Sequence, residues 1–355
     1  MSELITQLSG EAIELLIQLI QIPSFSREEA STADILVAFL TQHGIPAQQQ
    51  NNNVWAVSRA VDPAKPTILL NSHHDTVKPG VAWSYPPFGA VVEGDRLTGL
   101  GSNDAGASAV SLLAVFRYFY ERPTAFNLIC AITAEEEISG AKGIKSILPE
   151  LGKIDLGLVG EPTGMNAAVA EKGLLVLDGV ARGRTGHAAR NEGENALYKA
   201  LDDVAWLRAY QFPEVSALLG PVKMTVTQIG AGTQHNVVPD ECRYVVDIRS
   251  NECYSNEEIL AIVRANVQAE ITPRSTHLQS SGLPLTHPLV RKAVAMGKTT
   301  YGSPTLSDQA LMRFPTLKMG PGDSARSHTP DEYILLSEIR AGIADYVELL
   351  TGFEF

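Results

Sequence analysis

Three apolar runs too short for ordinary globular helices each stop on side chains that ionise. TILLNSHHDTV (67–77) reads as a buried strand ending in two histidines and an aspartate. NLICAITAEEE (127–137) ends in three glutamates, and LGLVGEPT (156–163) in Glu161. Between the first two lies GLGSNDAG (99–106), a glycine loop that carries Asp104 ahead of an apolar helix. Such runs alternate with helix-period segments, which argues for a mostly parallel sheet covered by helices, an α/β architecture. In open α/β sheets ligands bind outside the carboxyl ends of the strands. Acids and imidazoles gathered on that edge would repel one another unless cations lie between them. The pattern therefore points to a metal site.

The rest of the chain bounds this reading. At 355 residues it exceeds one ordinary core, so two domains are expected. A net charge of −12 argues against nucleic acid and against a basic membrane surface. The N-terminal stretch is acidic rather than basic and no apolar run approaches a membrane span, so no targeting or membrane segment is expected. Cys130, Cys242 and Cys253 are odd in number and lack CxxC spacing, as in a reduced cytoplasmic protein.

Along the chain, a helix stops at Pro23, and Ser26 with Glu29 form a capping-box pattern for the next, ended by Gly44. Strands are expected at 54–57, 68–71, 127–133 and 156–159, with helices at 106–120 and 140–148. From residue 174 the rhythm changes to partial period-2 strands in LLVLDGVARG, VKMTVTQIG and CRYVVDIRS, with helices at 195–208 and 256–268. The order β-α-β-β-α is that of a ferredoxin-like α+β sandwich. Helix (287–301), strand (316–319) and helix (336–350) follow. If His328 shares a site with His73, the middle segment is an insertion. The expected division is 1–174 with 283–355, and 175–282 between.

His73 and Asp75 form H-x-D at a strand end, where residues two apart share a face. Asp75 can then accept from the ring nitrogen that leaves metal free, fixing the tautomer. His74 faces the other way and reads as a packing residue or as a support behind the ligands rather than as a ligand. GLGSND resembles a dinucleotide loop superficially, but it lacks the third glycine, and an aspartate there would repel pyrophosphate. Within the triplet Glu135, Glu136 and Glu137, one glutamate can ligate metal while its neighbour handles a proton.

HxD, GxGxxD, xEE, GEPT, GHAA, NVVP…DIR and GPG…SHTPDE occur in this order between residues 73 and 332. As a set they resemble the M20 metallopeptidase and deacylase family, over nearly the whole chain. The resemblance implies a catalytic domain with two zinc ions, cobalt or manganese being possible, and an inserted lid domain that makes a homodimer. It assigns His73 and Glu161 to one metal, Glu137 and His328 to the other, and Asp104 to both. Glu136 matches the general base, Asp75 the histidine-orienting acid and His187 an oxyanion-stabilising residue; Asn236 and Arg249 match substrate-binding positions. The triplet reads EEE where the family often has DEE, a change upstream of the working pair. The runs AEKGLLVLDGV, AGTQHNVVPDE and SDQALMRFPTLKMGPGDSARSHTPDEY look most like acetylornithine deacetylase-type enzymes. The expected reaction is therefore removal of an Nα-acetyl or succinyl group from ornithine or citrulline, in arginine biosynthesis. A hydrolase of carrier-protein-conjugated lysine or ornithine, a succinyl-diaminopimelate desuccinylase and a dipeptidase are the alternatives. A metal-free scaffold protein would lack a ligand or the base, and a nucleotide enzyme would need a phosphate loop; neither condition is met.

Overall fold

A computed structural model describes residues 2–190 and 192–355. The chain divides into two compact units. One comprises the chain through Val169, Gly282–Tyr301 and Ser307–Phe355; the other comprises Ala170–Ser281 with Gly302–Leu306.

In the first unit, Thr67–His73 lies at the middle of the main sheet, parallel to Asn127–Thr133 on one side and to Leu156–Val159 on the other. Thr316–Lys318 extends the parallel set beside Leu156–Val159. Antiparallel strands flank it: Asn53–Val57 pairs with Asn127–Thr133, and Gln48–Gln50 with Asn53–Val57. Strand alternation feeds two apolar layers. Ile68, Leu70, Leu128 and Cys130 face the helices Ser2–Ile20, Ala107–Phe119 and Leu336–Leu350, while Leu69, Ile129 and Ala131 face Ile144 and Ile147 of the helix Ile144–Leu151. Both faces are covered, which is why these strands read as continuous apolar runs. The parallel α/β expectation holds.

The register carries the acids to one edge. His73 is opposite Thr133, two residues before Glu135, and Asn71 is opposite Val159, two residues before Glu161. Lys318, opposite Val159, leads into the GPG turn. A Cβ on Gly320 would overlap Ser108 Oγ, so only glycine lets this turn approach the end of the neighbouring strand.

The second unit has a four-stranded antiparallel sheet, in the order Lys223–Ala231, Glu241–Ser250, Gly173–Arg182, Glu270–Pro273, with helices Ala196–Ala209 and Asn256–Asn266. Glu270–Pro273 completes a ferredoxin-like order that the sequence shows only in part.

Two local expectations are corrected. The helix at 287–301 stops at Ala295, where Gly297 (φ +82°) turns the chain into the strand Thr300–Ser303. The helix Ala30–Gln42 forms without the capping box: its N-cap is Glu29, and the Ser26 hydroxyl donates to Asp75 Oδ2 at 2.7 Å instead. The first turn of a helix offers only N–H donors, so the Ser26 hydroxyl proton finds its acceptor in the buried Asp75 carboxylate.

Candidate metal centre

His73 is the last residue of its strand, with a ring only 1% exposed. Its Nδ1 lies 3.0 Å from the Asp75 carbonyl oxygen and 3.4 Å from the Asp75 carboxylate. Its Nε2 makes no hydrogen bond; the carboxylates of Asp104, Glu136 and Glu161 stand at 3.3, 3.7 and 3.8 Å. His328 Nε2 lies 2.9 Å from Glu137 Oε2 and 3.6 Å from the other oxygen of Asp104. Thus the two Asp104 oxygens face two different imidazoles. Every residue that the family resemblance marks as a metal ligand lies in this cluster, together with Glu136.

Each position has a local cause. Asp104 follows Gly101, whose φ of +74° turns the chain back toward the sheet edge. Glu135 also sits in the left-handed region (φ +54°), and from it Glu136 and Glu137 start a single 3-10 turn. That turn is held by Asp75, whose carboxylate accepts from the backbone N–H groups of Glu136 (3.0 Å) and Glu137 (3.2 Å). Asp75 therefore joins the histidine strand to the glutamate turn as well as lying beside the imidazole. His328 is more than half exposed and has a φ of +58°.

The electrostatics follow from crowding. Burial opposes charge on His73, yet the carboxylates of Glu136, Asp104, Asp75 and Glu161 hold its pKa well above the usual imidazole value. Burial pushes the Glu136 carboxyl well up; His73 opposes this, while Glu161, Asp308 and Glu137 add to it. The hydrogen bond to Glu137 raises His328 to about 9, against its partial burial. Carboxylates this close, around a buried imidazole nitrogen that lacks a hydrogen bond, form an all-oxygen and nitrogen donor set that fits divalent cations.

Two buried acids of the neighbourhood were not singled out in the sequence. Asp308 accepts from Thr133 Oγ1 at 2.7 Å, and burial raises it to about 6. Glu332 lies inside SHTPDE, four residues past His328, and burial raises it to about 7. The SHTPDE motif was the available signal for Glu332, and the run SDQALMRF that opens at Ser307 was the one for Asp308.

The remaining residues lie in the second unit. His187 is exposed, its Nδ1 accepting from Ala189 N at 3.1 Å, and it bridges to Val237. Asn236 is its neighbour there, its carbonyl accepting from Ala188 N at 3.0 Å. Arg249 directs its fork at Asp247, with Nε to Oδ1 at 2.8 Å and Nη2 to Oδ2 at 3.1 Å.

The model of the peptidase family M20/M25/M40 matches residues 69–352. The chain belongs to this family. Its members are hydrolases acting on amide bonds, and so is this enzyme. Among similar proteins, the succinyl-diaminopimelate desuccinylase 2 of Ruegeria sp. is 26% identical, over 97% of this chain and 95% of its own. The succinyl-diaminopimelate desuccinylase of Dinoroseobacter shibae is 30% identical over 74% of this chain and 73% of its own. In fold the chain matches an aminopeptidase from Bacillus cereus, with a TM-score of 0.77 and 19% identity over 96% of this chain and 98% of that one. It also matches a dinuclear metal-binding M20 peptidase from Bacillus subtilis, with a TM-score of 0.73 and 15% identity over 97% and 98%. No helix among the described residues is long and apolar enough to cross a membrane.

Proposed function

We propose that this enzyme uses two divalent ions to hydrolyse the amide of an N-acyl amino acid, and that the acyl group is succinyl. The observation that carries the metal reading is the His73 ring nitrogen, buried without a hydrogen bond and ringed by Asp104, Glu136 and Glu161. His73 and Glu161 would hold one ion, Glu137 and His328 the other, and Asp104 both. Zinc suits this oxygen and nitrogen set, as do cobalt and manganese. When bound, such ions lower the pKa of water and polarise a carbonyl.

The protein's own groups do the rest. Glu136 is the proton carrier: burial raises its proton affinity above that of an ordinary carboxylate, which suits it to accept a proton and return it to the departing amine. Asp75 keeps that carboxylate in place through the Glu136 N–H. His187 donates to the carbonyl oxygen as that oxygen gains charge. Asn236 and Arg249 bind substrate, Arg249 by exchanging Asp247 for the substrate's carboxylate. Lys223–Ala231 is the edge strand of the second unit's sheet, with one side free of strand partners among the described residues and with Ile229, Tyr198 and Leu201 exposed, which supports a homodimer formed through this unit. The three free cysteines suit a cytoplasmic, reducing setting.

The named relatives support N-succinyl-diaminopimelate over the N-acylornithine or N-acylcitrulline expected from the sequence alone. The second reading keeps one support, the local runs around Glu171, His235 and Asp308 that resemble acetylornithine deacetylase-type enzymes. Amine release from N-succinyl-diaminopimelate and from the acetyl and succinyl derivatives of ornithine and citrulline decides between them. A kcat/KM at least a hundredfold higher for N-succinyl-diaminopimelate is expected; the opposite ranking would replace this substrate with an ornithine- or citrulline-type one.

A further inference from the structure

Glu332 is 2% exposed and reaches across to the loop that carries Asp104. Its Oε1 accepts from the N–H groups of Asn103 and Asp104, both at 2.9 Å, and its Oε2 from that of Gly101 at 3.2 Å. Its own carbonyl accepts from Gly99 N at 3.0 Å. One residue thus takes four N–H groups of the loop 99–104. The same loop is held from the other direction by Asn103, whose side chain donates to the Asp323 carbonyl (3.1 Å) and to Ser327 Oγ (3.3 Å), and accepts from Asp323 N (3.0 Å). His328 sits between these two attachments. Asp104 must present its oxygens to two imidazoles at once, Oδ1 toward His73 and Oδ2 toward His328. Tilting the carboxylate plane would satisfy one and lose the other.

We propose that Glu332 is a positioning residue, whose carboxylate aims Asp104 between the two metal positions and ties the His328 loop to it. The proposal rests on the reading of Asp104 as a ligand shared by both ions. A carboxylate is suited to the task because its two oxygens can take three N–H groups, whereas an amide has one acceptor and would turn an N–H group against a backbone N–H. Outer groups that orient metal ligands commonly change affinity by about tenfold to a hundredfold when replaced.

The test is equilibrium titration of the metal-free enzyme with Zn2+ against a chromophoric chelator, with the visible spectrum of the Co2+-loaded enzyme as a second readout. Glu332→Gln is expected to keep the circular dichroism of the wild type, to bind the metal pair at least about tenfold more weakly, and to shift the Co2+ bands. A purely structural residue would lower thermal stability without changing the spectrum of the folded, loaded protein. Wild-type affinity together with a wild-type spectrum in Glu332→Gln overturns the proposal. If Glu332→Gln does not fold, Glu332→Asp carries the test: it keeps the charge and shortens the reach by one methylene. It is expected to bind the pair more weakly, also with altered bands, and wild-type behaviour in it overturns the proposal equally. Asp104→Asn separates the underlying reading. A wild type that takes up fewer than two Zn2+, or an Asp104→Asn that binds both as tightly, removes the shared-ligand assignment itself. Two ions in the wild type, loss in Asp104→Asn and no change in the Glu332 variants removes only the role of Glu332.

Discussion

Glu136→Gln separates proton transfer from metal binding more cleanly than any other substitution in the cluster. The change conserves volume, and the backbone at this position is fixed independently by the hydrogen bond from Glu136 N to Asp75 Oδ1 at 3.0 Å. The neighbouring Glu137 N is fixed by the same carboxylate at 3.2 Å, so the second glutamate should not move. What is lost is a group whose burial has raised its proton affinity well above the usual carboxylate range. Removing a principal acid–base group costs about two to four orders of magnitude, and one that both accepts and returns the proton belongs at the upper end. A fall in kcat of about a thousandfold is expected, equivalent to roughly 4 kcal/mol in the barrier. Amine release gives the rate, and elemental analysis of dialysed protein gives the metal content, expected to equal that of the wild type. Glu137→Gln should do the reverse, with metal content falling first. A Glu136→Gln enzyme that keeps more than a tenth of its kcat, or that loses metal while Glu137→Gln retains it, would refute this division of roles.

His187→Ala should leave folding and metal content intact and lower kcat by roughly a hundredfold, as loss of one oxyanion donor does. Mixing it with Glu136→Gln should restore activity if a homodimer shares this residue between chains; no recovery after verified subunit exchange would exclude sharing. Arg249→Lys keeps the charge but not the fork, so KM should rise for the acyl amino acid and stay unchanged for an analogue amidated at the carboxylate; equal losses would mean that Arg249 serves only its pairing with Asp247. Asp308 tests the electrostatics of the metal-free protein. Burial raises its folded pKa to about 6, above the ordinary aspartate value, so its stabilising contribution is present at acid pH and is lost as pH rises through about 6. Asp308→Asn, which can still accept from Thr133, should therefore gain on the wild type by roughly 2–3 kcal/mol between pH 4 and 7.5. Urea denaturation in chelator measures this, and a pH-independent difference would contradict it.

What could be read from the sequence follows range of interaction. His73, Glu137 and Glu161 were legible because each closes or follows an apolar strand, and parallel register then brings strand ends together without further information. Asp104 and His328 needed the whole motif set, since each stands in a loop held by distant contacts. The Ser26 hydroxyl shows the limit: its local pattern favours a helix cap, and a buried carboxylate 49 residues away takes it instead. Glu332 and Asp308 were missed for the same reason, because their partners lie 229 and 175 residues away. The helix expected over 287–301 runs past Gly297, its stop signal, and overlaps the first two residues of the strand Thr300–Ser303. Arg249 matches a substrate-binding position in the sequence, and its fork pairs with Asp247, two residues away on the same strand face.

The central claim is that one sheet edge binds two ions through five side chains. Crystals of the Zn2+-loaded enzyme, measured with X-rays on either side of the zinc absorption edge, test it directly. Two anomalous peaks per chain are expected, one against His73 and Glu161 and the other against Glu137 and His328, with Asp104 touching both. A single peak, or a pair of peaks that leaves Asp104 or His328 outside the coordination shell, would contradict the account.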